Sequence, residues 1–132
     1  MIDLDLVIYA GREETFDLGP VTRDDTNGDP QAVDLNVAGT KLWFTIRKKV
    51  GDAAAYVEKT WVFGGASDGI AITTGASTTV PNGTVTLDET DTDDVTETVR
   101  YPCELLLEEA GAKRSTIARG TIKIRPSISR PA

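Results

Sequence analysis

The stretch that decides the fold class is residues 41–47, which read KLWFTIR. Its apolar residues Leu42, Phe44 and Ile46 fall on every second position, which is the repeat of a β-strand with one buried face. Trp43 is out of phase with these three, so the strand should present it on the outer face of its sheet. A helix would repeat its apolar residues about every 3.6 positions, and no part of the chain shows a comparable stripe.

The alternating pattern recurs along the chain, and turn residues interrupt it about every 8 to 12 positions, as in β-sandwiches. The predicted strands are residues 4–9, 15–18, 41–47, 56–61, 70–73, 84–87, 101–107 and 120–125. We therefore expect an all-β protein of about seven to nine strands in two facing antiparallel sheets. Helical structure should be limited to a short turn, at residues 89–95 or 53–55.

Length and charge limit the number of domains and the kinds of partner that we expect. The 132 residues correspond to one domain with a single core. With 21 acidic and 14 basic residues the formal charge is −7, and such a field repels nucleic acids and anionic membrane surfaces. We expect neither as a partner. The first residues, MIDLD, carry acids where a signal peptide carries basic residues. We therefore expect synthesis in a cytoplasm without export by such a signal.

The residue types argue against catalysis. The chain has no histidine, so it lacks an imidazole base and the usual partner of a serine or cysteine nucleophile. Its densest carboxylates are contiguous in sequence, whereas glycosidase chemistry needs two that face each other across a cleft. Cys103 lies in the apolar run YPCELLL, which predicts a buried thiol. We expect no enzymatic activity, no cofactor and no small-molecule substrate.

An acidic run at residues 87–95, LDETDTDDV, is the densest group of possible metal ligands. Hard oxygen ligands suit calcium, and the candidates are Asp88, Asp91, Asp93 and Asp94. The run lacks the glycine and terminal glutamate of an EF-hand loop. The alternative is a solvated link between two strands, with acids at the start of a short helical turn. We favour the link.

Aromatic and basic residues mark two possible surfaces. Trp43 and Trp61 could stack on sugar rings, or could instead make aromatic contacts covered by a loop or a neighbouring subunit. A basic patch near the end of the sequence consists of Arg119, Lys123, Arg125 and Arg130. It could bind phosphate, or it could be a solvent-facing strand edge that resists aggregation.

The order of these features resembles the immunoglobulin-like tail and baseplate proteins of tailed bacteriophages, including the N-terminal domain of the baseplate upper protein family. The resemblance is carried first by residues 33–48, VDLNVAGTKLWFTIRK. It continues through residues 69–72, 83–87, the threonine- and acid-rich run, 101–105 and the stretch ARGTIKIRP at 118–126. It covers roughly residues 4–126.

The resemblance implies an immunoglobulin-like β-sandwich over residues 1–126. It also implies a structural role in a virion, in which the protein binds other virion proteins within a ring or another multi-copy complex of the tail or baseplate. The alternatives are a capsid decoration protein and a carbohydrate-binding or adhesin-like module. Members of that family usually continue into a region that carries fibres, so a direct fibre-holding role is not expected for this sequence.

Residues 127–132 form an extended tail that we expect to leave the domain and dock on another subunit, the alternative being a frayed terminus. The interface candidates that follow from these considerations are Trp43, Trp61, Arg125, Pro126, Ile128 and Arg130.

Overall fold

The computed structural model describes residues 2–111 and 114–126, and within them it contains ten strands and one 3₁₀ turn. The strands are β1 (Ile2–Tyr9), β2 (Glu14–Leu18), β3 (Thr22–Asp24), β4 (Pro30–Ala32), β5 (Lys41–Ile46), β6 (Val57–Val62), β7 (Ile70–Ile72), β8 (Gly83–Leu87), β9 (Val99–Glu108) and β10 (Ser115–Arg125). Every predicted strand is present. In this part of the chain no helix is long and apolar enough to cross a bilayer.

Two sheets form the sandwich. The larger has the order β1-β10-β9-β5-β6 and the smaller has the order β2-β8-β7. The strands β6-β5-β9-β10 follow the C′-C-F-G order of immunoglobulin sheets, and β2-β8-β7 follows the B-E-D order. The predicted all-β sandwich is therefore confirmed. One strand pair departs from the antiparallel expectation, because β1 runs parallel to β10.

The core lies between the two sheets and follows the predicted alternation. Leu42, Phe44 and Ile46 on β5 are each at most 1% exposed. They pack with the inward residues of β9 and β10, including Leu105, Ile122 and Ile124. Burying an aliphatic or aromatic side chain of this size stabilises a fold by about 1.5–3 kcal/mol. The alternation in residues 41–47 therefore places three of the largest contributors in one strand.

A short hairpin, β3-β4, was not predicted and raises the strand count above nine. Its strands are short and mostly exposed, so they carry no apolar alternation. A turn at residues 25–29 joins them, in which the backbone N–H of Gly28 donates to the carbonyl of Asp25 at 3.1 Å. The Asp25 carboxylate accepts the backbone N–H groups of Asn27 and Asp29 at 2.8 and 3.0 Å. This side-chain bonding mimics a backbone turn and explains why the hairpin forms without an apolar face.

The helical content is smaller than the two candidate stretches allowed. A 3₁₀ turn at Glu89–Asp91 lies inside the predicted stretch 89–95. The Asp91 carboxylate accepts the backbone N–H of Asp88 at 2.7 Å, which satisfies a group that a helix start leaves unpaired. Residues 53–55 are not helical and only bend before β6.

A buried asparagine joins the smaller sheet to the turn before β3. Asn82 is fully buried, and its Oδ1 accepts the backbone N–H of Val21 at 2.7 Å. Its Nδ2 donates to the carbonyl of Thr74 at 2.8 Å, and its backbone N–H donates to the carbonyl of Leu18 at 2.9 Å. Most buried polar side chains in proteins are hydrogen-bonded, and here three segments share the bonds.

Candidate binding surfaces

The acidic run encloses a buried lysine. Lys59 lies on β6, and its side chain is 5% exposed. Its Nζ is 2.9 Å from a carboxylate oxygen of Asp91 and 3.8 Å from one of Asp88. A third carboxylate, of Asp68, is 3.9 Å away. The lysine therefore joins β6, the loop that follows it and the 3₁₀ turn at the same end of the sandwich.

The carboxylates keep this lysine charged. Burial lowers the pKa of Lys59, but the hydrogen bond to Asp91 and the charges of Asp91, Asp68 and Asp88 raise it, and the net pKa lies above the ordinary value. A buried ammonium is stable only when it is paired and hydrogen-bonded. The acids of the run therefore neutralise a charge that the fold has buried.

The remaining calcium candidates point elsewhere. Asp94 accepts a hydrogen bond from the hydroxyl of Tyr56, and burial together with this bond raises the pKa of Tyr56. Asp93 is exposed. Among residues 2–111 and 114–126, no group of three or more carboxylate or thiol side chains could hold a metal ion. The predicted link between strands is present. It is not only solvated, because Asp91 pairs with Lys59 and Asp94 accepts a hydrogen bond from Tyr56.

A signal in the sequence could have identified Lys59. It alternates with the apolar residues Val57 and Trp61, and the structure buries all three on one face of β6. A cation in phase with a buried face needs carboxylates nearby. The run at 87–95 is the densest group of carboxylates in the sequence, and it supplies Asp88 and Asp91.

The two tryptophans do not offer open platforms for sugars. Trp43 lies on the outer face of the larger sheet, as predicted, but the Arg114 guanidinium stacks over its ring at 3.9 Å from the centroid. Trp61 points inward and is 9% exposed. This burial leaves Trp61 little surface to offer a partner, so the prediction of Trp61 as an interface residue is not supported.

The basic patch lies on a face of mixed charge. Arg119 and Arg125 are exposed on the outer face of β10, and Arg130 lies outside the described residues. The neighbouring strand β1 places Asp3 opposite Arg119 and Val7 opposite Lys123. A groove of about 620 Å³ on this face is lined by both acidic and basic side chains. The interleaved acids weaken the case for a phosphate site, which needs converging donors of one sign.

The two long sides of the sandwich are closed to different extents. On the β6-β7 side, Thr60 and Asp68 exchange two backbone hydrogen bonds of 2.8 and 2.9 Å that tie the sheets together. On the other side β2 pairs with β8 over residues 14–18, and among the described residues no strand pairs with its second edge. We call this side the β1-β2 seam. Its free edge presents backbone N–H and C=O groups to the outside.

An apolar cavity of about 70 Å³ opens at the β1-β2 seam. Half-buried apolar side chains form its rim, namely Leu4, Phe16 and Ile117. Its floor is buried core, with Phe44 in edge contact with Phe16 at 5.1 Å between ring centroids. Cavities that take small ligands measure about 300–1,000 Å³, so this one suits a single aliphatic side chain.

The remaining predicted residues have clear positions. Cys103 is buried, as expected, and burial together with the charge of Glu104 raises its pKa to about 12. Arg125 and Pro126 are exposed where β10 ends. Ile128 lies outside the described residues, as does the whole predicted tail 127–132.

The sequence was also compared with known proteins. It matches no model of a known protein family, and the search of curated proteins returned no match.

Proposed function

We propose that this chain is a structural component of a bacteriophage particle, in the tail or baseplate, and that it acts by binding neighbouring virion subunits in a ring or another multi-copy complex. The strand pattern at residues 33–48 and 118–126 supports the phage assignment through its resemblance to immunoglobulin-like tail and baseplate proteins. The confirmed β-sandwich is the fold that this resemblance implied.

The observation that carries the assembly role is the β1-β2 seam. An unpaired strand edge beside an apolar cavity is the arrangement that proteins use to accept an extended segment of another chain. Backbone hydrogen bonds supply affinity in such contacts, and pockets for alternate side chains supply specificity. The charge of −7 keeps the free protein soluble until such a partner is present.

A carbohydrate-binding or adhesin-like role has less support. The faces of exposed aromatic rings are what stack on sugars, yet Arg114 covers Trp43 and the core encloses Trp61. Capsid decoration stays an alternative of the same chemical class, because it too depends on binding to neighbouring subunits. Position within the particle distinguishes decoration from a tail or baseplate role.

The test is direct. Particles are banded on a density gradient from a lysate of cells that carry this gene, and an antibody against the purified chain is applied to the fractions. We expect the chain in the particle band, with immunogold label at the tail or baseplate in electron micrographs. Label on the capsid shell would favour decoration, and a chain found only among free lysate proteins would contradict a virion role.

A further inference from the structure

The shape of the β1-β2 seam restricts what can bind there to an extended segment with one aliphatic side chain opposite the cavity. The free edge of β2 spans Glu14–Leu18, and the cavity lies beside Phe16 and Leu18 on the inward face of that strand. A cavity of about 70 Å³ is smaller than the roughly 150 Å³ that holds benzene, so it suits an aliphatic side chain better than an aromatic one.

Charge restricts the occupant further. Glu13 and Asp17 are exposed beside the free edge, and Glu14 shares the inward face of β2 with Phe16. Opposite charges on directly facing strand residues stabilise a strand pair, and like charges destabilise it. A matching segment would therefore carry a cation two positions away from its aliphatic residue, because side chains on one strand face repeat every second position.

Residues 126–132 of this chain, PSISRPA, have this pattern. Ile128 is the only aliphatic residue larger than alanine in that segment, and Arg130 follows two positions later. In an antiparallel addition to β2, placing Ile128 level with Phe16 puts Arg130 level with Glu14. A parallel addition would put Arg130 level with Leu18 instead. Pro126 and Pro131 bracket the four residues that still have N–H groups, and prolines are tolerated in this way at an edge.

The segment cannot fill the cavity of its own chain through Ile128. The cavity rim includes Leu4, which pairs with Gly120, whereas β10 ends at Arg125, opposite Tyr9. Five strand residues separate these levels, about 17 Å at roughly 3.3 Å per residue. Ile128 follows Arg125 by three positions and reaches at most about 11 Å. The occupant is therefore the segment of a second copy.

We propose that residues 126–132 of one copy add as an antiparallel strand to the free edge of β2 in a second copy, with Ile128 in the seam cavity and Arg130 beside Glu14. This inference rests on the proposed assembly function and specifies the contact. Because the donated segment and the acceptor are different surfaces, the contact is head-to-tail and closes into a ring when the rotation between copies allows it.

The first experiment measures self-association of the full chain by sedimentation equilibrium at concentrations up to about 1 mM. We expect Ile128→Asp to weaken association by more than about tenfold, since a charge would replace a buried aliphatic group. Ser127→Asp makes the same charge change on the opposite face of the segment and should have a much smaller effect. Equal effects of these two substitutions would overturn the proposal.

A charge exchange tests the register. Glu14→Arg and Arg130→Glu should each weaken association by about three- to fivefold in low salt, where the pair is least screened. The double variant should regain the association of the unsubstituted chain, because it restores opposite charges at the same two positions. A double variant as weak as its two parents combined would show that these residues do not face each other.

Disulfide trapping tests which copy supplies the segment. A chain with Ile128→Cys is mixed with a second chain that carries Leu4→Cys, and the mixture is oxidised. Each chain has one introduced thiol, and Cys103 is buried with a pKa of about 12, so it should not compete. We expect mixed dimers that yield the 128–4 linked peptide by mass spectrometry. The control acceptor is Val50→Cys. Val50 lies on the β5-β6 loop and is 89% exposed, so this variant should give few mixed dimers.

The failures of the two proposals are distinguishable. If the variants behave as expected but the chain is absent from particles, the virion role is refuted and the contact between copies is supported. The opposite result is a chain that is present in particles, an Ile128→Asp variant that self-associates like the unsubstituted chain, and no 128–4 linkage. That result would refute the contact between copies and support the virion role.

Discussion

At the residue scale, removing a carboxylate partner of Lys59 should lower the free energy of unfolding more than removing the lysine itself. Asp91→Asn leaves a buried ammonium with less compensating charge, and we expect a loss of about 1–3 kcal/mol in the free energy of unfolding. Lys59→Met removes the buried charge instead. The side chains of Asp88 and Asp68 are 64% and 70% exposed, and Asp91, which is 21% exposed, still accepts the backbone N–H of Asp88. Replacing a buried ion by an apolar side chain of similar size is often neutral or stabilising, so we expect little loss.

Urea unfolding of the two variants checks this order. Glu89→Gln is the matched control, because it removes an exposed carboxylate from the same run, and it should change stability by less than about 0.5 kcal/mol. An Asp91→Asn protein as stable as the Glu89→Gln protein would show that Asp91 does not stabilise the buried lysine.

At the scale of elements, the parallel pairing of β1 with β10 depends on Gly120. A Cβ at this position would stand 1.9 Å from the carbonyl oxygen of Leu4, which is backbone and cannot move aside without separating the strands. We expect Gly120→Ala to destabilise the fold by about 1–3 kcal/mol, the usual range for overpacking. Thr121→Ala, one residue further on, is the control and should have a smaller effect.

Hydrogen exchange locates the damage from this substitution. In Gly120→Ala the amides of β1 should exchange faster, while those of β5 should change least, because β9 and β10 separate β5 from β1 in the sheet. Uniformly faster exchange over the whole sheet would contradict a local loss of the β1-β10 pair.

At the scale of the whole molecule, two buried groups and one half-buried group give the fold the same sensitivity to alkaline pH. The pKa values of Cys103, Tyr56 and Lys59 all lie above their ordinary values. Between its unfolded and folded pKa each group has lost its proton in the unfolded chain but still holds it in the folded one. Raising the pH through that interval therefore favours unfolding. Stability should fall as the pH rises above the ordinary cysteine value of 9.0, toward the folded value of about 12.

Cys103→Ala isolates one contribution. The variant is less stable at every pH because it leaves a small cavity. Its stability should nevertheless decline less steeply with pH, by up to about 1.4 kcal/mol per pH unit above the ordinary thiol pKa. Denaturant titrations at several pH values from neutral to alkaline give both slopes. Parallel slopes for the two proteins would show that this thiol does not contribute.

Much of the fold follows from short stretches of sequence. The alternation in residues 41–47 predicts a strand, its buried face and the outward position of Trp43, because side-chain direction in a strand depends only on the neighbouring positions. Turn residues between the strands predict where each ends. The β3-β4 hairpin was missed because its residues are exposed and carry no apolar period, so only the hydrogen bonds of Asp25 mark it.

The candidate sites were harder to predict because they join residues far apart in the chain. The acidic run is conspicuous in the sequence and the phase of Lys59 on β6 marks it as buried, but the two lie about thirty residues apart and only the fold brings them together. The interface candidates Arg125 and Pro126 are exposed as expected, whereas Trp61 is buried because it shares the inward phase of β6.

The sequence by itself determined the class of this protein: the two-residue repeat requires strands, and strands with one apolar face must pack as two sheets to bury it. Only the tertiary structure decided which strand edges are covered. Whether β1 joins β10 or β2 depends on pairing between distant strands. In the structure β1 pairs with β10 in the larger sheet, and Gly120 permits the close approach of the two strands at Leu4. The free edge of β2 and its apolar cavity are consequences of that choice, because no described strand is left to cover them.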